Sequence, residues 1–166
     1  MKILIDSVNE WNLKTVMQIE QSSFSTQEAA APTAMKERQQ QLGDTFLGAF
    51  AANRLVGFIV GPAISNRYLN DDLFQHVVPN PTATVAPFQA VLSLAVASPY
   101  RGQKIGSQLL SALAERATIA GRQGITLTCL PSLISFYQKN GFHDEGIAAS
   151  QHAGEVWHNL FLPLTD

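Results

Sequence analysis

Residues 91–113 read Val-Leu-Ser-Leu-Ala-Val-Ala-Ser-Pro-Tyr-Arg-Gly-Gln-Lys-Ile-Gly-Ser-Gln-Leu-Leu-Ser-Ala-Leu, an order suited to binding an anion. The apolar run Val91 to Val96, rich in β-branched and aliphatic side chains and stopped by Pro99, predicts a buried strand. Ile105, Leu109 and Leu113 recur at four-residue spacing and mark one face of a helix. Arg101 to Gly106 then falls on the first turn of that helix. Backbone N–H groups there lack intrahelical partners and the macrodipole is positive, so a phosphate or pyrophosphate is the natural ligand. Two nucleotide fingerprints fail on spacing. Gly102 and Gly106 are followed by Ser107 with no lysine, which excludes the Walker loop, and the three glycines of the dinucleotide motif are absent. On this loop alone, an ordinary strand-to-helix turn is the competing reading.

A second cluster lies downstream. Leu127-Thr128-Cys129-Leu130 reads as a strand, and Leu133 to Asn140 as a short helix that begins near Pro131 and stops at Asn140-Gly141. Tyr137 on that helix offers a phenolic proton, although a tyrosine on an amphipathic helix also serves as a core residue with a tethered hydroxyl.

Taken together these segments resemble the GNAT superfamily of N-acetyltransferases. Its acyl-CoA loop is written Arg/Gln-x-x-Gly-x-Gly/Ala; Arg101, Ile105 and Gly106 match, and Lys104 stands at the middle glycine. Phe136-Tyr137-x-x-x-Gly141-Phe142 resembles the C-terminal motif of the superfamily, in which the tyrosine faces the acetyl thioester. From about Ile19 to Leu164 the chain further resembles the arylalkylamine (serotonin) N-acetyltransferase group and its bacterial relatives. That likeness is carried by Gly57-Phe58-Ile59-Val60-Gly61, Leu94-Ala95-Val96, the stretch from Ile19 to Phe24 and the stretch from Ser150 to Trp157. The two histidines that the animal enzymes carry before the CoA loop align with Ala90 and Leu92.

The resemblance implies an α/β fold with a mixed, mainly antiparallel central sheet and helices on both faces. It implies acetyl-CoA as co-substrate, with no metal. Leu94, Ala95 and Val96 would offer backbone groups to the pantetheine chain, and N–H groups of Arg101, Gly102, Gln103, Lys104, Ile105, Gly106 and Ser107 would hold the pyrophosphate, Lys104 adding a cation. Tyr137 would protonate the departing thiolate. An alkylammonium titrates roughly three units above neutrality, so attack by the free amine costs about 4 kcal/mol unless a base assists. Glu28 is the candidate base, and Glu20 reads equally as a solvated or capping carboxylate. Phe24, Thr128 and His152 are the candidate acceptor contacts; His152 also reads as a base or as a hydrogen-bonded loop histidine. The expected activity is acetyl transfer to a small primary amine, an arylalkylamine in the finer reading, by direct attack on the thioester. Two alternatives stay open: a protein or peptide N-acetyltransferase, and a CoA-binding regulatory domain without catalysis.

Composition sets outer bounds. A chain of 166 residues with 46% hydrophobic side chains suits one domain, residues 1–166, with a real core. Eleven basic against thirteen acidic residues argue against a nucleic-acid surface. The partners expected are therefore a small amine, no nucleic acid and no membrane, with a homodimer left open. One cysteine, Cys129, no signal peptide at the start and no long apolar run point to the cytoplasm.

The positioning elements follow. Lys2–Val8 reads as a strand, Trp11–Phe24 and Gln27–Leu42 as helices, and Thr45–Ala52 with Leu55–Val60 as a hairpin turning at Asn53-Arg54. Ala63–Pro87 is an insertion too long for a simple connection, with a helical turn expected over Leu73–Val77. In the resembled group that insertion shapes the amine pocket. Phe142–Ile147 and Val156–Pro163 close the chain as a strand pair.

Overall fold

A computed structural model describes residues 2–150 and 152–165. Nine strands form two sheets. The first has the order β1 (Ile3–Ser7), β2 (Phe46–Ala51), β3 (Arg54–Val60), β6 (Ser93–Val96), all antiparallel. The second runs β4 (Ala63–Ile64), β5 (Phe88–Ala90), β7 (Gly124–Cys129), β9 (His158–Pro163), β8 (His143–Ile147), antiparallel except for the parallel pair β5–β7. This is the mixed, mainly antiparallel α/β arrangement that the sequence predicts.

Alternation along β2 supplies two cores. Leu47, Ala49 and Ala51 face α3 (Ile105–Ile119), where Ile105, Leu109 and Leu113 are buried as their spacing requires. Phe46 joins Phe58, Val16, Ile19 and Met35 beneath α1 (Leu13–Ser23) and α2 (Pro32–Gln41). Helices therefore cover both faces, and α4 (Ile134–Lys139) packs on the α3 side through Tyr137.

Several boundaries differ from the sequence reading for local reasons. The second helix begins at Pro32, whose fixed φ and missing N–H suit a first turn, and Gln27 to Ala31 form a bent segment before it. The hairpin turns at Ala52-Asn53, both at positive φ (48° and 68°), because Ala51 pairs with Arg54 and leaves two residues for a primed turn. In the insertion, the helical turn covers Asp71–Phe74. Arg67 anchors it to the second sheet through two bonds to Glu145 (2.9 and 2.7 Å) while lying 3.6 Å over the Phe161 ring.

Of the strand expected over Val91–Val96 only Ser93–Val96, β6, is strand; Val91-Leu92 is the link from β5, which precedes the expected run. The Val91 N–H donates to Thr126 O in the second sheet (3.1 Å), and the next N–H, Leu92, donates to Val60 O in the first (2.8 Å). The chain thus changes sheets within one residue. Past that point β6 is an edge strand, and its free side diverges from β7 to leave a cleft. Gly61 lies against the crossing so closely that a Cβ there would collide with the Ala90 carbonyl. Gly61→Ala is therefore expected to destabilise the fold by about 3 kcal/mol through overpacking against backbone. Gly43→Ala, where the added carbon meets nothing within 4 Å, serves as the neutral control. Urea titration of both variants checks this, and equal midpoints would show that the crossing yields without cost.

Candidate active site

The cleft beside β6 opens into a groove of about 740 Å³ lined by Leu94, Ala95, Val96, the loop around Arg101 to Ser107, and Phe136, Tyr137 and Asn140 of the α4 segment. An edge strand leaves backbone donors and acceptors unpaired on its open side. Leu94 to Val96 present that edge to the groove. Gly102 (φ 77°) and Lys104 (φ 66°) are both left-handed, and Lys104 is the N-cap of α3. Alternation of this kind turns successive N–H groups inward as a nest at a positive helix end. The departure from the family pattern at Lys104 is thus one of side chain only, since the backbone keeps the conformation that favours glycine.

Three loop residues behave differently from the simple expectation. Gln103 is not among the residues lining the groove. Arg101 uses its guanidinium structurally, donating to Val96 O (2.9 Å) and Ser23 Oγ (3.1 Å), so Lys104 is the loop cation that no such bond holds. Gly106 has a packing role as well, because a Cβ there would lie 3.2 Å from Phe136 Cζ.

Leu94, Leu133 and Tyr137 line both this groove and a second cavity of about 300 Å³ on the other side. Tyr137 is 7% exposed and wedged edge-on against Phe136 and Phe142, with centroids at 5.1 and 5.5 Å. Burial pushes its phenol well above the ordinary tyrosine range, with the neighbouring Cys129 adding to the shift. Cys129 itself is pushed up to about 12, chiefly by burial and then by Asp144.

The second cavity gathers Phe24, Glu28, Thr128 and His152, the four acceptor-side residues singled out in the sequence, from three separate parts of the chain. The Ser25–Glu28 turn is held by reciprocal bonds: Glu28 N–H to Ser25 Oγ (3.2 Å) and Ser25 N–H to Glu28 Oε1 (3.3 Å). His152 stacks on Phe74 (4.9 Å, 10°), approaches Glu28 O through Nε2 (3.4 Å) and accepts the Trp157 indole N–H on its carbonyl (2.8 Å). Of the two positions that align with the animal histidines, Leu92 lines the cavity, whereas Ala90 is buried in the core.

Glu20 corrects the sequence reading. It is neither solvated nor a cap but 1% exposed, directly under the acceptor cavity. Its Oε2 accepts from the Ala30 N–H (2.8 Å) and the Ser93 hydroxyl (3.3 Å), and its Oε1 is buried with no partner. Arg38, also 1% exposed, donates to Ser93 Oγ (3.4 Å) and Phe74 O (3.0 Å). Burial raises the Glu20 carboxyl above the usual range and lowers the Arg38 guanidinium, while each opposes the other's shift by its charge. A signal for this was present: Val16 and Glu20 are four residues apart and share one helix face, as do Met35, Arg38 and Leu42. Phe74, Ser93 and Trp157, also missed, carry no such signal.

Among solved structures the chain is similar over its whole length to Ard1 from Thermoplasma volcanium (TM-score 0.78, 17% identity, 100% of both chains). It is similar to the PaiA N-acetyltransferase from Thermoplasma acidophilum, solved in complex with coenzyme A (TM-score 0.72, 20% identity, 98% of this chain and 99% of that one). It also matches the loading GNATL domain of CurA from Lyngbya majuscula (TM-score 0.81, 12% identity, 99% and 98%). At such identities the likeness is one of fold. No curated protein matches the sequence. The acetyltransferase (GNAT) domain family matches residues 43–144, more than half of the chain, a span that holds β6, the loop at residues 101–107 and Tyr137. The groove geometry and this match agree, and the chain belongs to the GNAT acetyltransferase family.

Proposed function

We propose that the protein moves the acetyl group of acetyl-CoA onto a small primary amine by direct attack of the amine on the thioester. One observation carries the reading: Leu94, Leu133 and Tyr137 wall both the groove and the acceptor cavity, so groups bound on the two sides meet at Tyr137. Acetyl-CoA supplies the activated acyl carbon and a thiolate leaving group. The loop N–H groups and Lys104 hold its pyrophosphate, and the open edge of Leu94 to Val96 takes its amide chain. Tyr137 then donates its proton to the sulfur as the C–S bond breaks.

That assignment is thermodynamically consistent. A phenol with a raised pKa is a weaker acid, but a thiolate leaving into the same dry surroundings is a stronger base, as the shift of Cys129 shows for that wall. The two move together, so the proton match survives. Glu28, beside the cavity on its pinned turn, takes the ammonium proton before attack, directly or through a water. Phe24, Phe74, His152 and Trp157 give the cavity an aromatic wall suited to an apolar body. An arylalkylamine is the finer form of this reading. The insertion supports small acceptors over peptides, because it contributes Phe74, stacked on His152, to the cavity wall.

Tyr137→Phe is expected to lower kcat by about a hundredfold with little change in acetyl-CoA affinity, because only the donor is lost. In the parent, kcat should hold on the basic side past the ordinary phenol value of about 10, since burial raises Tyr137 and the acid form persists. Thiol release from acetyl-CoA across a panel of amines measures both, and a variant as fast as the parent would leave water as the donor.

The loop generates a further pair. Lys104→Gly relieves a left-handed side chain worth about 1 kcal/mol and removes a cation, so acetyl-CoA affinity should stay within about tenfold. Lys104→Glu keeps the strain and places like charge beside the pyrophosphate. Its affinity should fall by more than about tenfold, and the loss should shrink as salt rises. Calorimetry at low and high salt separates the two causes; unchanged affinity for Lys104→Glu would mean that the loop works through its backbone alone.

A further inference from the structure

We infer that the acceptor carries a second cationic amine, seated in an outer lobe of the cavity against Glu20 and Asp71; this deepens the amine reading above and rests on it. Beyond the inner lobe that holds Tyr137 and Thr128, the cavity continues into an outer lobe of about 510 Å³. Glu20, Glu28, Phe74, Leu92, Ser93 and His152 belong to both, so the two lobes are continuous. One acceptor can therefore span them, with its reacting nitrogen inside and its remainder outside.

Charge decides what that remainder is. Three carboxylates face the outer lobe, from Glu20, Glu28 and Asp71. One permanent cation, Arg38, faces it as well, together with the imidazoles of His76 and His152. Arg38 is committed to Phe74 O and Ser93 Oγ, His76 is turned to solvent with its imidazole 3.6 Å from Glu37, and His152 lies against Glu28 O. Glu20 and Glu28 alone therefore outnumber the permanent cation where a ligand would sit.

An independent observation names the missing group. Glu20 is buried, and its Oε1 has no hydrogen-bond partner. An unmet buried acceptor costs more than most single interactions return, and the deficit is larger for a charged group. Only a donor corrects it, and a cationic donor also restores the charge balance of a carboxylate that burial has made reluctant to ionise. An alkylammonium offers several N–H donors on a compact head. Asp71, at the exposed end of the lobe, accepts from Ser150 Oγ at 2.6 Å and adds a second negative wall. Phe74 and Leu92, common to both lobes, line the path of an apolar spacer. Glu20 lines both lobes, so a second nitrogen placed between Glu20 and Asp71 meets it while the reacting nitrogen stays at the Tyr137 end.

The test compares kcat/KM for thiol release from acetyl-CoA with α,ω-diaminoalkanes of increasing length, n-alkylamines of the same lengths, and phenethylamine. At the best length the diamine should exceed its monoamine by about tenfold or more, and the advantage should shrink with added salt. Asp71→Asn, at an exposed position, and Glu20→Gln should each lower kcat/KM for that diamine by about tenfold more than for the monoamine; Asp71→Asn keeps the test decisive if the buried change unfolds the protein. Three outcomes overturn the inference while leaving N-acetylation of a small amine standing: equal values for diamine and monoamine, phenethylamine outperforming every diamine, or Asp71→Asn lowering both classes alike. Thiol release with no amine at all removes both readings.

Discussion

The groove depends on one backbone event, the change of sheets between Val91 and Leu92. Two consecutive N–H groups bond to different sheets, and from there β6 and β7 have separate partners. A strand that stayed in the second sheet would spend its edge on β7, and no unpaired backbone would remain for an amide-bearing chain. Instead the second sheet keeps β5 beside β7 in parallel, the first keeps β6 beside β3, and the cleft between them is lined by polar backbone. The crossing is tight because Gly61 lets β3 end directly against the Ala90 carbonyl. A small residue far from the chemistry thereby fixes the shape of the site.

A buried charged cluster performs the corresponding task on the acceptor side. Glu20 from α1, Arg38 from α2, Ser93 from β6 and the Phe74 carbonyl from the insertion meet in one place, and Glu20 also holds the Ala30 N–H of the segment that carries Glu28. The walls that come from α1, the segment before α2, β6 and the insertion are tied to this cluster. Buried ions are poor sources of stability, since desolvation offsets much of their attraction. What they supply is position: losing one partner would strand the other in a dry interior, so the four segments hold together in one arrangement. The shifts of Glu20 and Arg38 toward their neutral forms record that desolvation, and Glu20 Oε1 is the one carboxylate oxygen of the cluster with no hydrogen-bond partner.

Legibility in the sequence followed the range of the interactions. The loop proposed to hold the pyrophosphate is local: strand, turn, left-handed positions and helix N-terminus succeed one another within about twenty residues, and their order alone raises the expectation of an anion site. Tyr137 is legible for the same reason, as its helix and glycine stop lie next to it. Glu28, Phe24, Thr128 and His152 were recognised one by one, but nothing local says that they share a cavity; the α1–α2 junction, β7 and the loop before β9 converge only through tertiary packing. Glu20 was misread because a carboxylate on a helix is usually solvated, and its burial depends on Arg38 and Ser93, eighteen and seventy-three residues away. The break at Val91-Leu92 is hidden by composition, since both linking residues are apolar and lead on to Leu94-Ala95-Val96, so either sheet would accept them.

In the proposed function the two sides of the site also differ in how they are built. On the CoA side the groups that would bind are mainly backbone, at the free edge of β6 and in the loop N–H groups, so side-chain identity is loosely constrained provided the dihedral angles are kept. Lys104 illustrates this: a non-glycine residue occupies a left-handed position at a cost that the helix N-terminus around it tolerates. On the acceptor side the groups that bind are side chains from elements distant in sequence, and residues 43–144, the span shared with the family, leave out Glu20, Phe24, Glu28 and His152. A backbone site carries one chemistry across divergent sequences, whereas a side-chain site changes with each substitution. The proposed acceptor therefore rests in part on side chains that lie outside the family span, Glu20, Phe24, Glu28 and His152, and not on the backbone groups of the loop and β6.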